Sequence, residues 1–226
     1  MMRNATLLAL LLATAAFPAQ AQFSGLKGLT GKNDGKNDGK PANTTAAPDA
    51  AAQDALVQRF IGAQSKSLQA QSEFANALGL AEQVQLLEAE RKALSGGAVN
   101  LDAMKKTVSI SEAAQKAIDE RQAAQPELNA KAKKHYADGL VSLLASTVEA
   151  RKLVGEASTF TSGMQSLGAI QMATLGRKLM AGAWVAKESP GFAKGLYSST
   201  RAALTFAQKN KVKAPSNADA LLDGLK

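Results

Sequence analysis

The sequence predicts an all-α protein, a single helical bundle of about six to eight helices after a signal peptide and a disordered tether. Three observations lead there. Alanine fills 46 of 226 positions and aromatic residues only 4%, a composition that favours helix over sandwich or barrel. From Asp54 onward, apolar residues recur at three- and four-residue intervals, the period of an amphipathic helix. No alternating apolar run is joined to a hairpin turn, so nothing reads as a sheet.

Residues 1–21 read as a secretory signal. Arg3 gives the positive start, Leu7 to Phe17 the short apolar core, and Ala19-Gln20-Ala21 the small residues ahead of a cleavage site. The apolar run is too short for a permanent span of a roughly 30 Å hydrocarbon core. Cleavage after Ala21 and a periplasmic location follow as expectations. No cysteine is present for lipid attachment or disulfides, which an exported bacterial chain tolerates.

Residues 22–53 read as a tether. The tandem Lys-Asn-Asp-Gly of 32–39, then Lys40-Pro41 and an Ala/Thr/Pro stretch, offer turn formers and almost nothing to bury. Asp34 and Asp38 lack the spacing and bidentate glutamate of a calcium loop.

The helical domain is expected over 54–226. Leu56, Val57, Phe60, Ile61, Leu68, Phe74 and Leu78 mark the first helix, with Gly79 as its end or a kink. Leu80, Val84, Leu87 and Leu94 mark the second, stopped by Ser95-Gly96-Gly97. Asn100 caps a third, through Met104, Val108, Ala114 and Ile118. Pro126 is expected in the first turn of the next helix, whose face runs from Leu128 to about Leu153. Pro190 is expected to open another, to about Gln208, and Pro215-Ser216-Asn217 precedes a short last one.

The stretch 155–186 stands apart. Glycines at 155, 163, 168, 176 and 182 interrupt its apolar residues, and it holds three of the four methionines beyond Met2. Glycine inside a helix costs about 0.5–1 kcal/mol relative to alanine. Close backbone packing or room for an apolar ligand would offset that, and methionine suits an adaptable apolar surface. The first alternative makes the stretch a tightly packed core helix. The second makes Phe160, Met164, Ile170, Met172, Leu175 and Trp184 the lining of a lipid-like ligand site. Adjacent Arg177 and Lys178 argue against a transmembrane anchor.

Charge is polarised. Formal net charge is +8, falling to +7 once Arg3 leaves with the signal. The window 177–213 carries Arg177, Lys178, Lys187, Lys194, Arg201, Lys209, Lys211 and Lys213 against Glu188 alone. The remaining mature chain therefore sums to zero. Such a concentrated bias suits docking on an anionic membrane surface or an acidic envelope protein. Export and the lack of aromatic stacking residues beside the lysines exclude nucleic acid as a partner.

Catalytic machinery is not legible. One histidine and no cysteine leave no metal-ligand cluster, and His135, preceded by Lys131, Lys133 and Lys134, reads as surface, with Tyr136 on the apolar face beside Leu128 and Leu140. No nucleophile elbow, phosphate loop or dinucleotide fingerprint occurs. No enzyme, cofactor or metal is expected. The predicted function is a periplasmic binding protein that holds or shuttles an apolar ligand and docks on anionic envelope. Its alternative is a structural envelope protein that binds another protein and has no ligand cavity.

Overall fold

The computed structural model describes residues 47–96, 100–176 and 178–223. The expected signal, most of the tether, Arg177 and the last three residues lie outside the described residues. Among the described residues there are seven helices and no strand: α1 (Ala50–Leu78), α2 (Ala81–Ser95), α3 (Leu101–Ala123), α4 (Ala130–Gln165), α5 (Ala169–Leu175), α6 (Met180–Lys209) and α7 (Ala218–Asp223). The chain is all-α. No helix among the described residues is long and apolar enough to cross a membrane.

Local chemistry sets several helix ends. The Asp49 carboxylate accepts the Ala52 N–H at 2.8 Å, so α1 begins before residue 54. Gly79 takes φ +74° and Leu80 N–H donates to Ala75 C=O at 2.9 Å, a left-handed cap that ends α1 without a kink. The Asn100 side chain caps α3 by accepting from Ala103 N–H at 2.8 Å.

Both helix starts expected from proline are corrected. Pro126 does not open α4. Gln125 sits at φ +49°, residues 125–129 carry no regular structure, and Asn129 supplies the cap by accepting from Ala132 N–H at 2.9 Å. An asparagine cap satisfies an orphan N–H, which proline at position 126 cannot do. Leu128 meanwhile turns inward, its N–H donating to Asn210 Oδ1 at 3.1 Å. Pro190 lies inside α6. A mid-helix proline costs about 3 kcal/mol, but Val185, Ser189, Leu196 and Ala203 bury one continuous face across it. Ser189 Oγ donates to Val185 C=O at 2.6 Å just ahead of the ring.

Nor is 155–186 one core helix. It comprises the end of α4, a break at 166–168, α5, and the start of α6. Helix α4 outruns Leu153 because Ala157, Phe160 and Gly163 extend its buried face.

Helix α1 packs chiefly on α4, α4 on α6, and α2 with α3 cover the other side of α1. One core cluster centres on Phe74, Tyr136, Leu140, Leu196 and Phe206. The Tyr136 ring stacks between Phe74 and Phe206, with centroids at 4.6 and 5.1 Å. Its hydroxyl accepts from Gln122 Nε2 at 2.9 Å and donates to Ala203 C=O at 3.2 Å, tying α3, α4 and α6 together. Gly139 lets α4 approach α1: a Cβ there would meet the Phe74 ring at 2.6 Å. A second cluster, around Leu56, Phe60, Leu153, Phe160 and Val185, closes the end nearest α5.

Candidate functional site

Four of the six expected lining residues meet in this second cluster. Phe160 is buried, and Met164, Leu175 and Trp184 are partly buried against the same core. Trp184 meets Phe60 edge-on at 5.5 Å, the T-shaped arrangement that aromatic quadrupoles favour. Ile170 and Met172 fall in α5, and their side chains lie outside what is described.

A groove of about 500 Å³ runs between α1 and α4, and of these residues Phe160 alone lines it. Leu56, Ala52, Ala55 and Pro48 supply more of its apolar wall, with Thr159 at the side. Gly155 borders it, and a Cβ at that position would meet nothing within 4 Å. The Phe160 ring is backed by Gly182 of α6, where a Cβ would approach it to 2.7 Å. The sequence did carry two signals for this groove, Gly155 and the Pro48-Asp49 helix entry, although Ala47 to Ala52 were assigned to the tether.

The two acids at the groove are engaged. Asp49 caps α1, and Glu156 pairs with Arg59 at 2.6 Å. Arg59 also donates to Glu149 at 3.0 Å, and Lys66 reaches the same carboxylate at 3.4 Å. Burial by itself raises the Glu149 carboxyl, but Lys66, Lys152 and Arg59 together hold it below the ordinary carboxylate range.

The basic window resolves into a row. Lys178, Lys187, Lys194, Arg201, Lys209, Lys211 and Lys213 are all exposed, and none makes an ion pair with a described residue. Lys187, Lys194 and Arg201 are seven apart on α6, so they drift only about 20° per step around the helix and rise about 10 Å. That line lies opposite the buried face of Val185, Leu196 and Ala203. Arg201 also sits over the Tyr197 ring, 5.8 Å from its centroid. Glu188, the window's one acid, turns aside into a cleft between α1, α3 and α6.

The histidine–tyrosine pair divides. Tyr136 is a core anchor whose phenol burial pushes further toward the neutral form. His135 Nδ1 lies 2.7 Å from Glu73 Oε2, linking α4 to α1. Asp138 pairs with Lys134 at 2.7 Å. No cluster of three metal-ligating side chains occurs among the described residues.

The chain matches no family model, no curated protein and no solved structure. Residue geometry carries the functional reading.

Proposed function

We propose that this protein is an exported, non-catalytic helical-bundle binding protein that docks on anionic envelope surface through the outer face of α6. The row of Lys187, Lys194 and Arg201 carries the reading. It is exposed, free of acids along its line, and set opposite the core, so an anionic surface can meet its three charges together. Lys209, Lys211 and Lys213 extend the positive field past the helix end. Each basic residue near such a bilayer contributes about 1 kcal/mol.

The groove between α1 and α4 favours a lipid-like ligand as the cargo of the same protein. Its walls are chiefly apolar and its acids are already engaged, so it suits an acyl chain with an uncharged head better than a free fatty acid. Native mass spectrometry of the purified protein tests the cargo. The expected result is a lipid adduct that disappears in Gly155→Leu, which fills the groove while favouring helix. No adduct, or one that survives in the variant, removes the carrier reading.

Docking is tested by co-sedimentation with vesicles of equal phosphatidylglycerol and phosphatidylcholine, against phosphatidylcholine alone. Binding to the anionic vesicles at about 0.1 M salt and release at about 1 M is expected, because the Debye length falls from about 10 to about 3 Å. Binding to neutral vesicles, or indifference to salt, would overturn it.

A further inference from the structure

The cleft between α1, α3 and α6, about 280 Å³ in volume, belongs to neither the groove nor the basic row. It shares no lining residue with the α1/α4 groove. Gln64 of α1 lines it with 1% of its surface exposed, and its Oε1, buried behind the cleft wall, accepts no hydrogen bond. Buried polar atoms left this way are rare in folded proteins and ask for an explanation.

The neighbouring amides cannot supply the missing donor. Gln71 Nε2 donates to Ser111 C=O at 3.0 Å and to Gln115 Oε1 at 3.1 Å. Ser111 Oγ donates to Gln71 Oε1 at 2.9 Å, and Gln115 Nε2 donates outward to Asp119 at 2.8 Å. Acceptor capacity stays open there, beside the Ser67 and Ser199 hydroxyls, which line the cleft and can donate or accept. Glu112 of α3 and Glu188 of α6 line the cleft, and neither carboxylate has a hydrogen bond or ion pair with a described residue. No lysine, arginine or histidine lines it. Phe192 contributes a ring to the wall, and Gly191 and Gly195 leave it open, since a Cβ at either would meet nothing within 4 Å.

We propose that this cleft binds a small organic cation rich in N–H donors, of the class of a short aliphatic primary amine. Its ammonium donates to Gln64 Oε1 in the interior, and the two carboxylates balance its charge. The aromatic wall takes the methylene stem or the cation itself. The basic row does not oppose this, because Glu188 sits about 100° around α6 from Lys187.

Titration calorimetry of the whole protein with putrescine, and with 1,4-butanediol as its uncharged counterpart, tests the site. Putrescine is expected to bind and the diol to bind at least on the order of tenfold more weakly. Glu112→Gln combined with Glu188→Gln weakens putrescine by on the order of tenfold or more. Gln64→Leu does the same by removing the acceptor, and circular dichroism confirms that it folds. Gly195→Leu, which favours helix and occupies open space, abolishes binding with the fold intact. No binding of putrescine, equal binding of the diol, or undiminished binding by the double amide variant or by Gly195→Leu would each overturn the proposal.

Discussion

Replacing Lys187, Lys194 and Arg201 together by glutamine should detach the protein from anionic vesicles without unfolding it. At about 1 kcal/mol per basic residue, the triple substitution removes about 3 kcal/mol, or about two orders of magnitude in affinity. Successive members of the row rise about 10 Å along α6, close to the Debye length at about 0.1 M salt, so their contributions should nearly add. Stability should hardly change, because all three are exposed and unpaired. Only the Arg201–Tyr197 contact is lost, at about 0.5 kcal/mol. The matching control replaces Lys116, Lys134 and Lys152 by glutamine. These lysines already pair with Glu120, Asp138 and Glu149, and the substitution changes net charge equally. Co-sedimentation across a lipid titration reads both variants. Equal losses from the two triples would refute a directed surface and leave only bulk charge.

Three further outcomes test the fold that presents this surface. Tyr136→Phe leaves Gln122 Nε2 and Ala203 C=O without their buried partner and should cost about 2 kcal/mol in a denaturant melt; a cost near zero would mean the hydroxyl does not tie the three helices. Gly139→Ala should destabilise by about 1–3 kcal/mol despite alanine's better helix propensity, since the new methyl would meet Phe74 at 2.6 Å; stabilisation would show that the ring yields freely. Glu149 is held below its ordinary value near 4.5, so its share of stability is fully present above that pH and is lost as pH falls through the folded value. Parent and Glu149→Gln should therefore differ in melting temperature at neutral pH and converge in acid, whereas a constant gap would contradict the ion-pair account.

Two helix boundaries were legible from one residue each, whereas the side-chain caps at Asp49 and Asn129, which start α1 and α4, were not. Gly79 and Asn100 act through their own backbone or carbonyl, and both perform as their residue types suggest. Pro126 and Pro190 misled because proline's preference for a first helical turn is local, while the structure around each is decided elsewhere. Asn129 outcompetes the first, and burial of Val185, Ser189 and Leu196 carries α6 through the second.

The second misreading concealed the candidate docking face. A helix starting at Pro190 leaves Lys187 outside it, and the seven-residue register with Lys194 and Arg201 then has no meaning. Once α6 is continuous from Met180, three charges already visible in the sequence fall on one line. The α1/α3/α6 cleft had no comparable signal. Gln64, Glu112 and Glu188 sit on three helices, and their convergence depends on packing that no local spacing encodes.

The absence of cysteine makes the central claim directly measurable, because a single introduced thiol can be labelled without competition. Ser198→Cys places a fluorophore on the exposed side of α6 beside the basic row, and Val141→Cys places one on an exposed position of α4. Quenching by a water-soluble agent is then compared before and after adding phosphatidylglycerol-containing vesicles. Docking through α6 predicts that the label at 198 becomes shielded while the label at 141 stays accessible. Shielding at 141 with 198 still open would contradict it.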